Sequence, residues 1–217
     1  MTVPTPSRES AAQKPPDRRL NRTFPKSHLG AALTLYRAHR SDNGPGWFAS
    51  AGGRFDLPAP HGTLYAADDT ETALRERFGA VFAHTGVISY ATAAETSVTA
   101  LPGIPGRYAN IGHAAAARFG VLRELATMTG YMIPQLWAAA FHGLGLRGVR
   151  YPSRFTTAPG PNAWAIFGEH GACAIATGGT VGGVDACRSA GLLVAAPRSR
   201  RSLTVIEPPT DAGPTAT

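Results

Sequence analysis

Arg54, Tyr65 and Glu76 supply a guanidinium, a phenol and a carboxylate at equal intervals along one stretch of the chain. A guanidinium makes paired, permanently charged contacts with phosphate groups. A tyrosine ring can stack on a planar ligand, and a carboxylate can stabilise positive charge that develops on a nearby carbon. Because the three residues fall on three successive elements, we expect them to converge on one cleft, as active-site residues commonly do.

Tyr65 and Glu76 lie on a predicted strand and a predicted helix. Residues 63–67, TLYAA, follow the turn-forming sequence PAPHG and predict a strand that holds Tyr65. Residues 68–71 resemble a capping box and predict the start of a helix that Gly79 ends. Glu76 lies near the end of this helix, on the flank of its buried stripe. A single glutamate on a helix is more often solvated, so position alone does not select it.

Two further polar residues lie on predicted strands on either side of this stretch. LTLYRAH (33–39) alternates as a strand does and places Arg37 in its middle, which is uncommon for a charge unless it faces a cleft. GVRYPSRF (148–155) predicts a strand that Pro152 breaks, with Ser153 at its end. Taken singly, Arg37 is as readily a surface ion-pair partner and Ser153 a turn residue.

Strands and helices are intermixed along the rest of the chain without a regular βαβ repeat. The patterns predict strands at 87–93, 163–168 and 202–208 and helices at 114–128 and 134–145. No GxGxxG motif opens a helix after a strand, and the glycine-rich residues 168–183 lack the GK[ST] of a P-loop and predict a flexible loop. We therefore expect a single α+β domain with mixed sheets and flanking helices.

Composition separates this domain from two tails. The 217 residues are 43% hydrophobic, which is enough for one core of ordinary size. Residues 1–29 contain five prolines, six basic and two acidic residues, and residues 208–217 are rich in proline and small polar residues. We therefore predict a disordered, basic, proline-rich tail at 1–29, a folded domain at 30–207 and a disordered tail at 208–217.

The net charge of +7 lies largely in the N-terminal tail. A basic tail can make weak, salt-dependent contacts with nucleic acid, but the chain lacks the basic stripe interleaved with aromatic residues that favours RNA binding. The N-terminal residues have no apolar region of a secretory signal, and the longest apolar stretches are too short to span a bilayer. We expect a cytoplasmic protein without a membrane anchor.

Cysteine and histidine give no sign of a disulfide framework or a metal site. Cys173 and Cys187 do not form a CxxC motif, and the seven histidines are scattered without ligand spacing. We expect two free thiols and no bound metal.

Four motifs in order, LYRAH, GGRFD, LYAADDTETALRE and GVRYPSR, resemble the RES family, which is named for a shared arginine, glutamate and serine. The resemblance covers roughly residues 30–207 and implies an ADP-ribosyltransferase-like fold. It also implies an enzyme that cleaves the nicotinamide–ribose bond of NAD⁺ by phosphorolysis or hydrolysis. NAD⁺ is then the substrate, inorganic phosphate the co-substrate of phosphorolysis, and no cofactor is needed. Such a protein is the toxin of a toxin–antitoxin pair with an Xre-type helix-turn-helix antitoxin.

The resemblance also implies roles for individual residues. Glu76, Arg54 and Tyr65 are the expected catalytic residues, and the expected substrate contacts are Arg37, Arg54, Tyr65 and Ser153. Cleavage of the nicotinamide–ribose bond passes through a state resembling an oxocarbenium ion, which a carboxylate stabilises, while arginines hold the pyrophosphate. Asn162, in APGPNAW, is a further candidate for the pocket wall, although PGPN first predicts a turn.

Two alternative functions remain open from the sequence. The protein can be an ADP-ribosyltransferase that moves the same group from NAD⁺ to a macromolecule. It can also be a catalytically silent binding module whose basic tail contacts nucleic acid.

Overall fold

The computed structural model describes residues 12–50, 52–156, 160 and 162–197. In these residues the strands and helices are, in chain order, β1 Lys26–Leu29, β2 Thr34–Arg40, β3 Trp47–Phe48, β4 His61–Ala67, α1 Thr70–Thr85, α2 Tyr90–Ala94, β5 Thr96–Pro102, β6 Gly106–Asn110, a 3-10 turn Ala114–Phe119, α3 Glu124–Thr127, α4 Met132–Gly143, β7 Gly148–Pro152, β8 Asn162–Glu169, β9 Gly171–Ala172, β10 Thr180–Gly182 and α5 Gly183–Ser189.

A mixed sheet organises the fold. Its strand order is β1–β6–β7–β8–β4–β2–β5–β10, and β3 pairs separately with β9. Strands β6 and β7 run parallel, and the other neighbours in the sheet are antiparallel. The predicted single α+β domain with a mixed sheet and flanking helices is confirmed.

The sheet divides between β2 and β4. Among the described residues these strands pair at Tyr36 and Ala67 alone. By contrast, β2 pairs with β5 along its whole length from Thr34 to Arg40, and β4 pairs with β8 from His61 to Ala67. The two halves of the sheet therefore diverge beyond one point of contact, and a cleft opens between them.

Helix α1 bridges this division. Its N-cap is Asp69, whose side chain accepts a hydrogen bond from the backbone N–H of Thr72, one residue after the Asp68 cap that a capping box at 68–71 predicts. The predicted end at Gly79 is wrong, because the helix continues to a left-handed cap at Gly86. Gly79 instead provides space, since a Cβ there would lie 2.3 Å from the ring of Phe155. The chain that follows β7 can therefore pack directly on the helix.

The predicted boundary at residue 30 differs from the structure. Strand β1, inside the expected tail, pairs with β6, and Phe24 is 1% exposed in the core. Gln13 bonds through its side chain to the carbonyl of Gly120 and the N–H of Leu122. Proline and charge in this segment suggested disorder, but a few apolar and amide side chains anchor it. Residues 1–11 and 198–217, including the predicted strand 202–208, lie outside the described residues.

Three other predicted elements differ from the structure. Residues 87–93 were expected as a strand, but Ser89 caps the short helix α2 and the strand begins at Thr96. Residues 114–128 were expected as one helix, but Gly120 at φ 84° ends the 3-10 turn. The expected loop 168–183 contains β9 and β10. The part of the chain that the structure describes has no helix long and apolar enough to cross a membrane.

Substitution of Gly79 by alanine tests the packing of Phe155 on α1. Glycine to alanine inside a helix normally stabilises a protein, but here the new methyl group must displace the Phe155 ring. We expect Gly79→Ala to lower the free energy of unfolding by about 1–3 kcal/mol. Gly143→Ala, in α4 with nothing within 4 Å of its Cβ, is the matched control and is expected to be neutral or stabilising. Thermal unfolding of both variants measures the difference, and equal melting temperatures would contradict it.

Candidate active site

A cleft of about 490 Å³ occupies the division of the sheet. Strand β2 contributes one wall, β4 and α1 contribute the others, and the loops 52–54 and 154–155 complete the rim. Its only carboxylate among the described residues is Glu76, and its basic residues include Arg37, Arg40, Arg54, Arg77 and Arg154. This imbalance of charge makes the cleft suited to an anionic ligand.

Arg37 is a buried cation that forms no ion pair with any described residue. Its side chain is 9% exposed, and its Nη2 donates a hydrogen bond of 2.6 Å to the carbonyl of Trp47. Its Nη1 is buried and has no partner among the described residues. Burial, and then the nearby charge of Arg77, lowers the pKa of Arg37 to about 10. The guanidinium stays charged at neutral pH and has an unused donor that an anion can satisfy.

Arg54 reaches the cleft from the loop before β4. It is 7% exposed, its Nε lies 3.4 Å from the carbonyl of Met128, and its guanidinium lies 5.7 Å from the centre of the Tyr131 ring. No carboxylate forms an ion pair with Arg54 in the described part of the chain. Its charge is therefore also available to a ligand.

Glu76 and Ser153 come together although 77 residues separate them. The hydroxyl of Ser153 donates a hydrogen bond of 2.6 Å to Oε1 of Glu76, and the hydroxyl of Tyr151 lies 3.5 Å from Oε2. The Ser153 oxygen in turn accepts a bond from the backbone N–H of Phe155. Glu76 projects from the middle of α1 rather than its end, and its carboxylate is held by the chain that leaves β7.

Tyr65 lines the cleft, but its hydroxyl already has protein partners. It donates a hydrogen bond of 2.8 Å to Oδ1 of Asp56 and accepts one of 2.8 Å from the backbone N–H of Phe55. Burial and the Asp56 carboxylate raise the pKa of Tyr65 well above its ordinary value, so the hydroxyl keeps its proton. Within the described residues, the proton of this hydroxyl is therefore committed to Asp56.

Asn162 does not line this cleft. Its amide donates a hydrogen bond to Oδ2 of Asp68, and it borders a neighbouring groove that begins at Ser153 and Arg154. Asn162 is the first residue of β8. Its role as a substrate contact stays a prediction.

Among the side chains of the cleft that sequence reasoning missed are Arg77, Arg154 and Tyr131. Arg77 and Arg154 directly follow Glu76 and Ser153 in the sequence. Their position next to a candidate residue is the feature that could have identified them. Arg154 resembles Arg37 in having a buried nitrogen, Nε, without a partner among the described residues. Tyr131 lies just before α4 in a stretch without periodicity, so no pattern marked it.

Cys173 and Cys187 are free, as expected. The described residues contain no group of three or more histidine, cysteine, aspartate or glutamate side chains that could hold a metal ion. The chemistry available to the cleft is that of one carboxylate, several guanidinium groups and aromatic walls.

Comparisons with known proteins identify the family and the fold. The family model described as RES domain matches residues 34–179. A chain of the crystal structure of the M. tuberculosis MbcT–MbcA toxin–antitoxin complex is similar in structure, with a TM-score of 0.51 at 16% sequence identity. This match covers 71% of the present chain and 85% of the other, and at this identity it shows a shared fold. No curated protein matches the sequence.

Removing the Arg37 charge is expected to spare the fold and weaken anion binding. Burial of an unpaired guanidinium opposes folding, so Arg37→Met should keep or raise the melting temperature. Inorganic pyrophosphate should raise the melting temperature of the wild type by mass action, and that of the variant much less. Arg118→Met removes an exposed arginine outside the cleft and should respond as the wild type does. An equal response of Arg37→Met would contradict anion binding at Arg37.

Proposed function

Since the chain belongs to the RES domain family, we propose that it is an enzyme that cleaves the bond between nicotinamide and ribose in NAD⁺, as the toxin of a toxin–antitoxin pair. The observation that carries the proposal is the Glu76 carboxylate, held by Ser153 in a cleft whose other charged groups are mostly arginines. NAD⁺ combines the features that such a cleft can bind: a pyrophosphate, two aromatic bases and a ribose carbon that becomes positively charged on cleavage.

The chemistry needs little from the protein beyond charge and position. When the carbon–nitrogen bond breaks, its electron pair moves to the nicotinamide ring, which leaves as a neutral molecule. The ribose carbon then resembles an oxocarbenium ion, and a carboxylate beside it lowers the energy of this state. Water or phosphate forms the new carbon–oxygen bond. We assign this electrostatic role to Glu76.

Binding of the pyrophosphate falls to the arginines. Arg37 and Arg54 form no ion pair with any described carboxylate, so a bound phosphate would replace the water that burial has removed and would not have to break an ion pair among those residues. Tyr131 and Trp47, which also line the cleft, are flat side chains on which a base can stack. A cleft of about 490 Å³ lies within the usual range for small-molecule sites.

The proposed partner is an antitoxin that blocks the cleft, by analogy with the toxin–antitoxin complex whose chain shares this fold. The cationic rim favours an acidic or C-terminal carboxylate segment on that partner. The resemblance of the motifs to the RES family adds that the antitoxin is of the Xre type. We also propose that the protein acts in the cytoplasm, where NAD⁺, the proposed substrate, is present.

Replacement of Glu76 by glutamine tests the carboxylate with almost no change in shape. We expect Glu76→Gln to lower the rate of nicotinamide release from NAD⁺ by at least about 100-fold, because the charge that stabilises the ribose cation is lost. Glu71→Gln is the matched control: it is on the same helix, is exposed and pairs with Arg75. Chromatography of released nicotinamide measures both. No release by the wild type, or equal release by Glu76→Gln, would refute the proposal.

The products of the same reaction identify the acceptor. ADP-ribose 1-phosphate formed in phosphate buffer indicates phosphorolysis, and ADP-ribose formed without phosphate indicates hydrolysis. Labelled NAD⁺ incubated with a cell lysate completes the test, since label on protein or nucleic acid would instead indicate an ADP-ribosyltransferase. NAD⁺ that stays intact in every mixture would support a binding module.

A further inference from the structure

The loop that presents Arg54 is held from inside the protein by a buried carboxylate. Asp56 is 2% exposed, and its two oxygens accept separate hydrogen bonds. The backbone N–H of Gly53 donates to Oδ2 at 2.7 Å, and the hydroxyl of Tyr65 donates to Oδ1 at 2.8 Å. The Tyr65 oxygen accepts from the N–H of Phe55. The backbone N–H groups of the two residues that flank Arg54 are thus bound by one Asp56–Tyr65 pair.

The surroundings leave this loop little freedom. A side chain on Gly53 would place its Cβ 2.3 Å from Oδ1 of Asp56 and 2.6 Å from the Tyr65 hydroxyl. Gln135 donates a hydrogen bond of 3.0 Å to the carbonyl of Gly53. The Arg54 side chain, by contrast, makes a single long hydrogen bond, to Met128, within the described part of the chain. The direction of the guanidinium therefore depends on how firmly its backbone is held.

Asp56 is an unfavourable choice if its role is only to stabilise a turn. Burial raises the pKa of Asp56, and the described residues supply it with no ion pair. An ionised carboxylate in such a place costs free energy that a neutral side chain would not. What the carboxylate offers is two acceptor oxygens for two donors that hold the same loop, and therefore a fixed geometry.

We propose that Asp56 is a positioning residue, which acts through the Tyr65 hydroxyl and the Gly53 amide to aim the Arg54 guanidinium at the phosphates of the substrate. The proposal rests on the proposed function for the identity of that substrate. The hydroxyl of Tyr65 has the same positioning role, because it orders the loop while the guanidinium makes the contact with the substrate.

Asp56→Asn and Tyr65→Phe test the pair, and Tyr108→Phe is the matched control. Tyr108 is a buried tyrosine whose hydroxyl bonds to the carbonyl of Ile104, away from the cleft. A misdirected guanidinium should raise the KM for NAD⁺ about 10- to 100-fold with a smaller change in kcat. Tyr108→Phe should change the melting temperature alone.

A double-mutant cycle with Arg54→Ala separates positioning from general loss of structure. If Asp56 acts through Arg54, adding Asp56→Asn to Arg54→Ala should raise KM little further. If the increases in KM caused by Asp56→Asn and Arg54→Ala multiply in the double variant, the proposal is overturned. A wild-type KM in Asp56→Asn and Tyr65→Phe would overturn it as well.

Calorimetric binding of inorganic pyrophosphate gives a readout that does not depend on turnover. The same two variants should weaken pyrophosphate binding and again show no added loss beside Arg54→Ala. Suppose that the wild type binds pyrophosphate, that both variants bind it more weakly, and that the wild type leaves NAD⁺ intact. The proposed function then fails while the role of Asp56 stands. If the wild type releases nicotinamide and both variants bind pyrophosphate normally, the role of Asp56 fails while the function stands.

Discussion

The hydrogen bond from the Ser153 hydroxyl to the Glu76 carboxylate is the interaction on which the site depends, because it joins helix α1 to the end of β7. Each partner alone lies in an ordinary place, one in mid-helix and the other after a strand. Their approach requires that the chain after β7 pack closely on α1, and Gly79 makes this packing possible by leaving room for Phe155. The geometry of the carboxylate is therefore set by the packing of the fold as much as by local sequence.

The cleft contains a buried charge that no described residue neutralises, and it opens where two neighbouring strands of the sheet separate. Arg37 keeps a buried donor without a partner among the described residues, and strands β2 and β4 separate after one paired position there. Both features oppose stability, since a closed sheet and a paired cation would each lower the free energy of the folded state. Such departures from the best packing concentrate where a ligand is expected to supply what is missing.

Local patterns were enough to place the strands of Arg37 and Tyr65, the start of the Glu76 helix and the strand end at Ser153, because each depends on neighbouring residues. The four motifs, which occur in the same order as in the RES family, then indicated that these residues belong to one site. Contacts between distant segments were not accessible in this way. The space at Gly79 depends on Phe155, and the role of the Tyr65 hydroxyl depends on Asp56 across a loop. The hydrogen bond from Asn162 to Asp68 is another such contact, which spacing along the chain does not reveal.

The N-terminal segment carries a consequence for the sheet as a whole. Strand β1 lies before the family match, yet it is the outermost strand beside β6. Without it, β6 would present a row of unpaired N–H and C=O groups, which is the surface through which sheets of different molecules join. The anchoring of Gln13 near Gly120 and the burial of Phe24 keep this cover in place. With β1 in place the sheet ends on a strand of four residues, and so short an edge strand offers little backbone for pairing with the sheet of another molecule.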